Sequence, residues 1–208
     1  MGGRNWSGTP DRPMPTSLTD GTLLTASTGA PMRLVMVRHG VTDFTTAGKL
    51  DGRGGPDPSV NSEGRRQAEA AGVRVRAFIE DNAARVITSS MNRAIETGAA
   101  IADALCVRAE VDPDWDEQNF GDWDNESVDV LAARHPQEFL RFREDPHYSR
   151  PGGEAHVDLQ ARVLAAVDRA ATAGGKVVVV SHPTPTVTGL PHPLGIPPHR
   201  SWRMAPHA

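Results

Sequence analysis

Four consecutive valines, Val177-Val178-Val179-Val180, set between Gly174-Gly175-Lys176 and Ser181-His182, constrain this chain more than any other segment. β-branched residues suit a strand, and a strand that is apolar on both faces suits only the interior of a sheet covered on both sides. Such a sheet needs helices above and below it, so the rest of the chain should alternate strand with helix. It does. Residues 33–37 read as a short apolar strand bounded by Pro31 and Gly40. A loop rich in Gly, Asp and Pro runs through Pro58, and Asn61 and Gly64 then lead into a helix with apolar positions Ala68, Ala71, Val75, Phe78 and Ile79. Residues 85–88 form the next strand, and Ala94, Ile95, Gly98, Ile101, Ala102 and Leu105 recur at helical spacing behind Ser89-Ser90. Residues 107–111 read as a further strand, followed by short helices from Ser127 and from Pro136. A long amphipathic helix carrying Leu159, Val163, Val167 and Ala170 closes at Gly174-Gly175 and leads back to the valines. The expected fold is α/β: a three-layer α/β/α sandwich around a mostly parallel central sheet.

The 208 residues fit one domain over 32–208 behind a tail over 1–31, where Gly, Ser, Thr and Pro crowd out apolar residues and disorder is expected. Met14 and Met32 are alternative starts that leave the folded part intact. A net charge of −4 offers no basic footprint for nucleic acid, so any anion pocket must be positive locally. Cys106 has no second cysteine to pair with, which fits a reducing, cytoplasmic setting. No apolar run approaches the ~20 residues that span a bilayer, and the N-terminus lacks the basic-then-apolar order of a signal peptide. His192, His199 and His207 sit at proline-rich spacings that match no metal-ligand pair, so no metal is expected.

Chemistry-bearing residues gather where apolar strands end. Arg38-His39-Gly40 follows the first strand, placing a guanidinium beside an imidazole at a turn that glycine permits. Ser181-His182 repeats that arrangement after the valines. Arg93 falls at the start of the helix behind the 85–88 strand, where free N–H groups and the helix dipole favour anions. Each element alone has a plain alternative: a strand-end turn, a solvent-facing histidine, or a surface arginine paired with Glu96 or Glu117. A fourth element, Asp116-Glu117-Gln118-Asn119-Phe120-Gly121-Asp122-Trp123, offers a carboxyl group that Phe120 and Trp123 could desolvate into a proton donor. Asp116 itself reads as an ordinary loop acid.

Taken in order, these motifs resemble the histidine phosphatase superfamily, the group that includes cofactor-dependent phosphoglycerate mutases and small-molecule phosphatases. The resemblance spans residues 33 to 182. It rests on Arg38-His39-Gly40, on Ser89 through Thr97 in the family's Ser-Pro-Leu-x-Arg-Ala-x-x-Thr place, on Glu117 three residues before Phe120-Gly121, and on Ser181-His182. Gly64-x-x-Gln67-Ala68, Gly152-Gly153-Glu154 and Arg162 are secondary matches. The resemblance implies a phosphoglycerate mutase-like fold and a metal- and cofactor-free hydrolase. His39 would attack phosphorus to form a phosphohistidine, Arg38, Arg93 and His182 would spread positive charge over the phosphoryl oxygens, and Glu117 would serve as acid and then base. The substrate class is a small phosphomonoester. The segment 117–123 is similar to the phosphatase branch; the alternatives are mutase-type phosphoryl transfer, with Arg134, Arg141 and Arg143 as candidate clamps, or a noncatalytic relative that binds a phospholigand or a partner.

Three departures from the family pattern carry expectations of their own. Pro183 stands where a glycine usually follows the second histidine, removing an N–H that could donate to phosphate. Pro185, Gly189, Pro191 and Pro193 crowd the helix that should follow, so that end is expected to be irregular or short, and the family often supplies another strand about where this chain stops. Thr45 replaces a common asparagine, offering a hydroxyl in place of an amide to the phosphate.

Overall fold

The valine run lies at the centre of a four-stranded parallel sheet whose order is β1-β4-β2-β3 in the computed structural model, which describes residues 32–79 and 84–190. The strands are β1 (Met32–Arg38), β2 (Ala84–Thr88), β3 (Ala109–Val111) and β4 (Gly175–Ser181). The expected tail over 1–31, and the stretch holding Pro191, Pro193, His192, His199 and His207, lie outside the described residues.

Alternation along β4 explains why all four valines are needed. Val177 and Val179 pack on one face against Leu159, Val163 and Val167, while Val178 and Val180 pack on the other against Ile79, Ala94 and Ile101. All four have no exposed surface. Burying each such side chain is worth roughly 1.5–3 kcal/mol, so this strand anchors both layers at once. The first face is covered by α6 (His156–Ala173), the second by α2 (Ser62–Ile79) and α3 (Asn92–Leu105), giving the expected three layers.

The remaining helices are short: α1 (Asp43–Thr46), α4 (Val128–Arg134), α5 (Pro136–Glu144) and α7 (Pro183–Gly189). Two positions on the expected helix faces turn out differently. Phe78 and Ile95 are 51% and 38% exposed, because the α2–α3 contact is made instead by small residues, with Gly72 placed against the Ala100 carbonyl. Phe78 carries the Arg33 guanidinium 5.8 Å from its ring centre. Beyond the valines, α7 is short as expected but helical. Pro183 and Pro185 fall at its first and third positions, where backbone N–H groups have no partner within any helix, so their loss costs the helix little.

Gly98 sits where α3 crosses β2, and a Cβ there would run into the Thr88 methyl and lie 3.7 Å from Val180. Gly98→Ala is expected to destabilise the fold by about 1–3 kcal/mol, read as a lowered urea midpoint with an unchanged m-value. An unchanged midpoint would mean that α3 does not bear on the strand as described.

Candidate active site

Three neighbouring strands end side by side and set the site. The register pairs Arg38 of β1 with Ser181 of β4, so His39 and His182 emerge together, with the His39 N–H donating to the Ser181 carbonyl at 3.0 Å. The Ser89 N–H, just past β2, donates to the Val180 carbonyl, also at 3.0 Å. The two imidazoles lie with ring centres 5.0 Å apart. The turn at Gly40 is glycine for a steric reason: any Cβ would collide with the Gly64 backbone at the start of α2. Its N–H donates to Thr97 Oγ1 on α3 at 3.0 Å, and that hydroxyl donates in turn to the Arg93 carbonyl at 2.7 Å.

His39 is held as the neutral tautomer with its lone pair on Nε2. Its Nδ1–H donates to the Gly40 carbonyl at 2.8 Å, while Arg93 Nε–H donates to Nε2 at 3.2 Å. Burial, with the charges of Arg93 and Arg38 adding to it, lowers its pKa to about 3, so the ring stays uncharged at neutral pH. His182 is fully buried, and desolvation, followed by the cost of charging it beside His39 and the surrounding arginines, holds its pKa well below the ordinary value.

Arg93 is 1% exposed, the second residue of α3, and engages Asp51 and Asp57 rather than Glu96 or Glu117. Its Nη2 donates to the Asp51 carbonyl at 2.6 Å, and Nη1 lies 3.3 Å from Asp51 Oδ1 and 3.5 Å from Asp57 Oδ1. Asp57 also accepts from the Asn92 N–H at 3.0 Å and so caps α3. Asp51 has its pKa pushed up to about 6, chiefly by burial, against the opposing pull of Arg93. Glu96 is occupied elsewhere, accepting from the Val60 N–H at 3.1 Å.

Glu117 is 5% exposed, and burial raises its pKa against hydrogen bonds from the Gln118 N–H at 2.8 Å and the Thr184 N–H at 3.4 Å. Thr184 is the second residue of α7, so this bond ties the carboxyl to the segment just past His182. Phe120 and Trp123, the aromatics expected beside the carboxyl group, pack with Leu131, Phe139 and Phe142 of α4 and α5. What fixes the Glu117 loop is Arg162, which donates to the carbonyls of Asp114, Asp116 and Glu117 at 2.9, 2.7 and 3.1 Å while paired with Glu154 at 2.8 Å.

Arg38 is exposed at the end of β1 and its side chain makes no hydrogen bond or ion pair among the described residues, yet its charge is felt at both imidazoles. The Thr45 hydroxyl takes part in a capping box on α1, accepting from the Thr42 N–H at 3.4 Å and lying 3.2 Å from Thr42 Oγ1. No three His, Cys, Asp or Glu side chains among the described residues are grouped so as to hold a metal ion, and no described helix is long and apolar enough to cross a membrane.

The profile of the histidine phosphatase superfamily (branch 1) matches residues 34–208. The chain belongs to that family. A bifunctional protein of Mycobacterium tuberculosis is 36% identical over 164 residues, covering 77% of this chain and 44% of its own length, so the chain spans less than half of that relative. A probable phosphoglycerate mutase of Yersinia enterocolitica is 30% identical over 83% of this chain and 80% of its own. The structure of a mycobacterial glucosyl-3-phosphoglycerate phosphatase with VO3 superposes with a TM-score of 0.72 at 27% identity, covering 82% of this chain and 85% of that one. The chain therefore shares its sheet and helical layers with this solved structure. Sequence reasoning gave Asp51 and Asp116 no part in the site; Thr97, Glu154 and Arg162 were visible only as motif positions with no task.

Proposed function

We propose that the protein hydrolyses a small phosphomonoester through a phosphohistidine on His39. The observation that carries this reading is the state of His39: a neutral imidazole whose Nε2 lone pair meets Arg93 Nε–H and whose neighbour is the His182 ring. The Nε2 lone pair attacks phosphorus, the P–O bond to the alcohol breaks, and the leaving oxygen takes the Glu117 proton. Glu117, now a carboxylate, takes a proton from water as the water oxygen attacks phosphorus; the P–N bond breaks and phosphate leaves. Arg38 and Arg93 supply positive charge to the in-line transition state, and His182, uncharged at rest, adds its own once it is protonated.

Hydrolysis is favoured over mutase transfer because one of the three candidate clamps for the released alcohol is already engaged. Arg141 pairs with Asp145 at 3.3 Å and stacks on Tyr148, leaving it engaged within its own helix and turn. The single thiol, Cys106, is exposed, which suits a reducing cytoplasm. The test is phosphate release from p-nitrophenyl phosphate, sugar phosphates, α-ribazole phosphate and glucosyl-3-phosphoglycerate, with phosphoglycerate isomers followed by 31P NMR. The expected result is phosphate as the product, with a preference among the alkyl esters. Interconversion of the phosphoglycerates with little free phosphate would overturn hydrolysis in favour of transfer.

A further inference from the structure

Asp116 is buried to 6% exposure and makes contacts that a loop acid has no use for. Its Oδ1 accepts from Ser89 Oγ–H at 2.8 Å and from the Ser90 N–H at 2.7 Å, and Ser90 Oγ–H is shared between Oδ1 and Oδ2 at 2.9 and 2.8 Å. Ser89 Oγ also accepts from the Met91 N–H at 3.2 Å and stands 2.8 Å from His182 Nε2. A hydroxyl has one hydrogen to give and two lone pairs to receive with. The hydrogen goes to Asp116, since a carboxylate only accepts, and one lone pair goes to Met91. The contact with His182 can then only be Nε2–H donating to Ser89. The other ring nitrogen, Nδ1, is buried with no hydrogen-bond partner among the described residues.

We propose that Asp116 is a positioning residue that, acting through Ser89, fixes His182 as the Nε2–H tautomer and leaves Nδ1 as the nitrogen that meets the phosphoryl group. The inference rests on the proposed phosphoryl chemistry for its purpose, while the tautomer itself follows from the resting geometry. With Nε2–H committed to Ser89, His182 can donate to a phosphoryl oxygen only by taking on Nδ1 the proton that the phosphoryl group carries in its monoanionic form. The oxyanion thus meets an imidazolium whose far side is connected, through one hydroxyl, to a buried carboxylate. Ser89→Ala cuts this link and leaves the Ser90 bonds to Asp116 in place. Ser90→Ala removes a hydroxyl of the same carboxylate and leaves the link in place, which makes it the control for mere loss of packing or folding.

The test reads 15N shifts of histidine-labelled protein at pH 7.5, with His182 assigned by the loss of its signals in His182→Gln. Protonated Nε2 and unprotonated Nδ1 are expected in the resting parent and in Ser90→Ala, and Nδ1 should become protonated on adding vanadate. In Ser89→Ala and Asp116→Asn the Nε2–H preference should be lost. Vanadate affinity and kcat/KM should fall on the order of 10- to 100-fold in both, against less than about threefold in Ser90→Ala. The double variant Ser89→Ala/Asp116→Asn should be little worse than either single one. A resting Nδ1–H tautomer in the parent, an unchanged tautomer in Ser89→Ala, or equal losses in Ser90→Ala and Ser89→Ala would overturn the proposal. Should the parent hydrolyse no ester, the proposed function fails, yet the resting tautomer still decides this inference.

Discussion

His39→Ala is expected to lower phosphate release from every substrate on the order of 10^4-fold or more, because it removes the proposed nucleophile. The variant should fold. The side chain's own bond to the neighbouring Gly40 carbonyl is lost with it, and the Gly40 N–H bond to Thr97 remains. The companion measurement is the acid-labile phosphate trapped by rapid quench from the parent, which should be absent from the variant. Turnover retained within about tenfold would sink the phosphohistidine mechanism.

Glu117→Gln should separate the two half-reactions. With an alkyl ester the leaving oxygen needs a proton, and loss of the acid is expected to cost about 10^2- to 10^4-fold in kcat/KM. p-Nitrophenolate leaves without one, so the first step on that substrate should survive while the second, which needs a base for water, stalls. The expected trace is a burst of p-nitrophenol equal to the enzyme concentration, then a slow phase, with phosphoenzyme accumulating. Equal losses on both substrates and no burst would remove Glu117 from proton transfer. The pH dependence has a definite sign. Burial raises the Glu117 pKa above its ordinary 4.5, so the acid form persists to higher pH, and alkyl-ester kcat/KM falls as pH rises through the raised value. That limb should vanish in Glu117→Gln. The same shift means that the folded protein holds this proton more tightly than the unfolded chain. The associated stability is present below pH 4.5 and lost as pH rises through the folded value, so the thermal stability of Glu117→Gln relative to the parent should improve across that range.

The valines of β4 and the two strand-end histidines were legible because their signal is local: a run, a stop and a turn. Glu117 and Arg93 could be read from their places in ordered motifs. The partners of these groups could not. The plain alternative for Arg93 paired it with nearby Glu96 or with Glu117, whereas its acidic partners are Asp51 and Asp57, 42 and 36 residues before it, and periodicity says nothing about where a Gly-rich loop folds back. Asp116 read as a loop acid because its three donors lie 26 and 27 residues away on the β2–α3 turn. Phe78 and Ile95 fell on apolar helix faces, but a helix packed through Gly72 and Gly98 brings its backbone in so close that the flanking large residues are left at the rim. The prolines of α7 were read as helix breakers, when the first turn of a helix is the one place that tolerates them.

The register between β1 and β4 has a consequence for how the chemistry is guarded. Side chains alternate along a strand, so a slip of one residue would turn the His39 imidazole to the opposite face and bring Gly40 to the row beside His182. Neighbouring strands are about 4.8 Å apart, so the row formed by the ends of β1, β4 and β2 is about 10 Å across and acts as a ruler for the side chains that emerge from it. What keeps that ruler in calibration is the interlocking of Val177 and Val179 with one helical layer and of Val178 and Val180 with the other. Selection for catalysis at the rim would therefore be felt as selection on aliphatic shape inside the sheet. Conservative core substitutions that leave stability almost intact but loosen this register would be silent in a melting curve and costly in turnover.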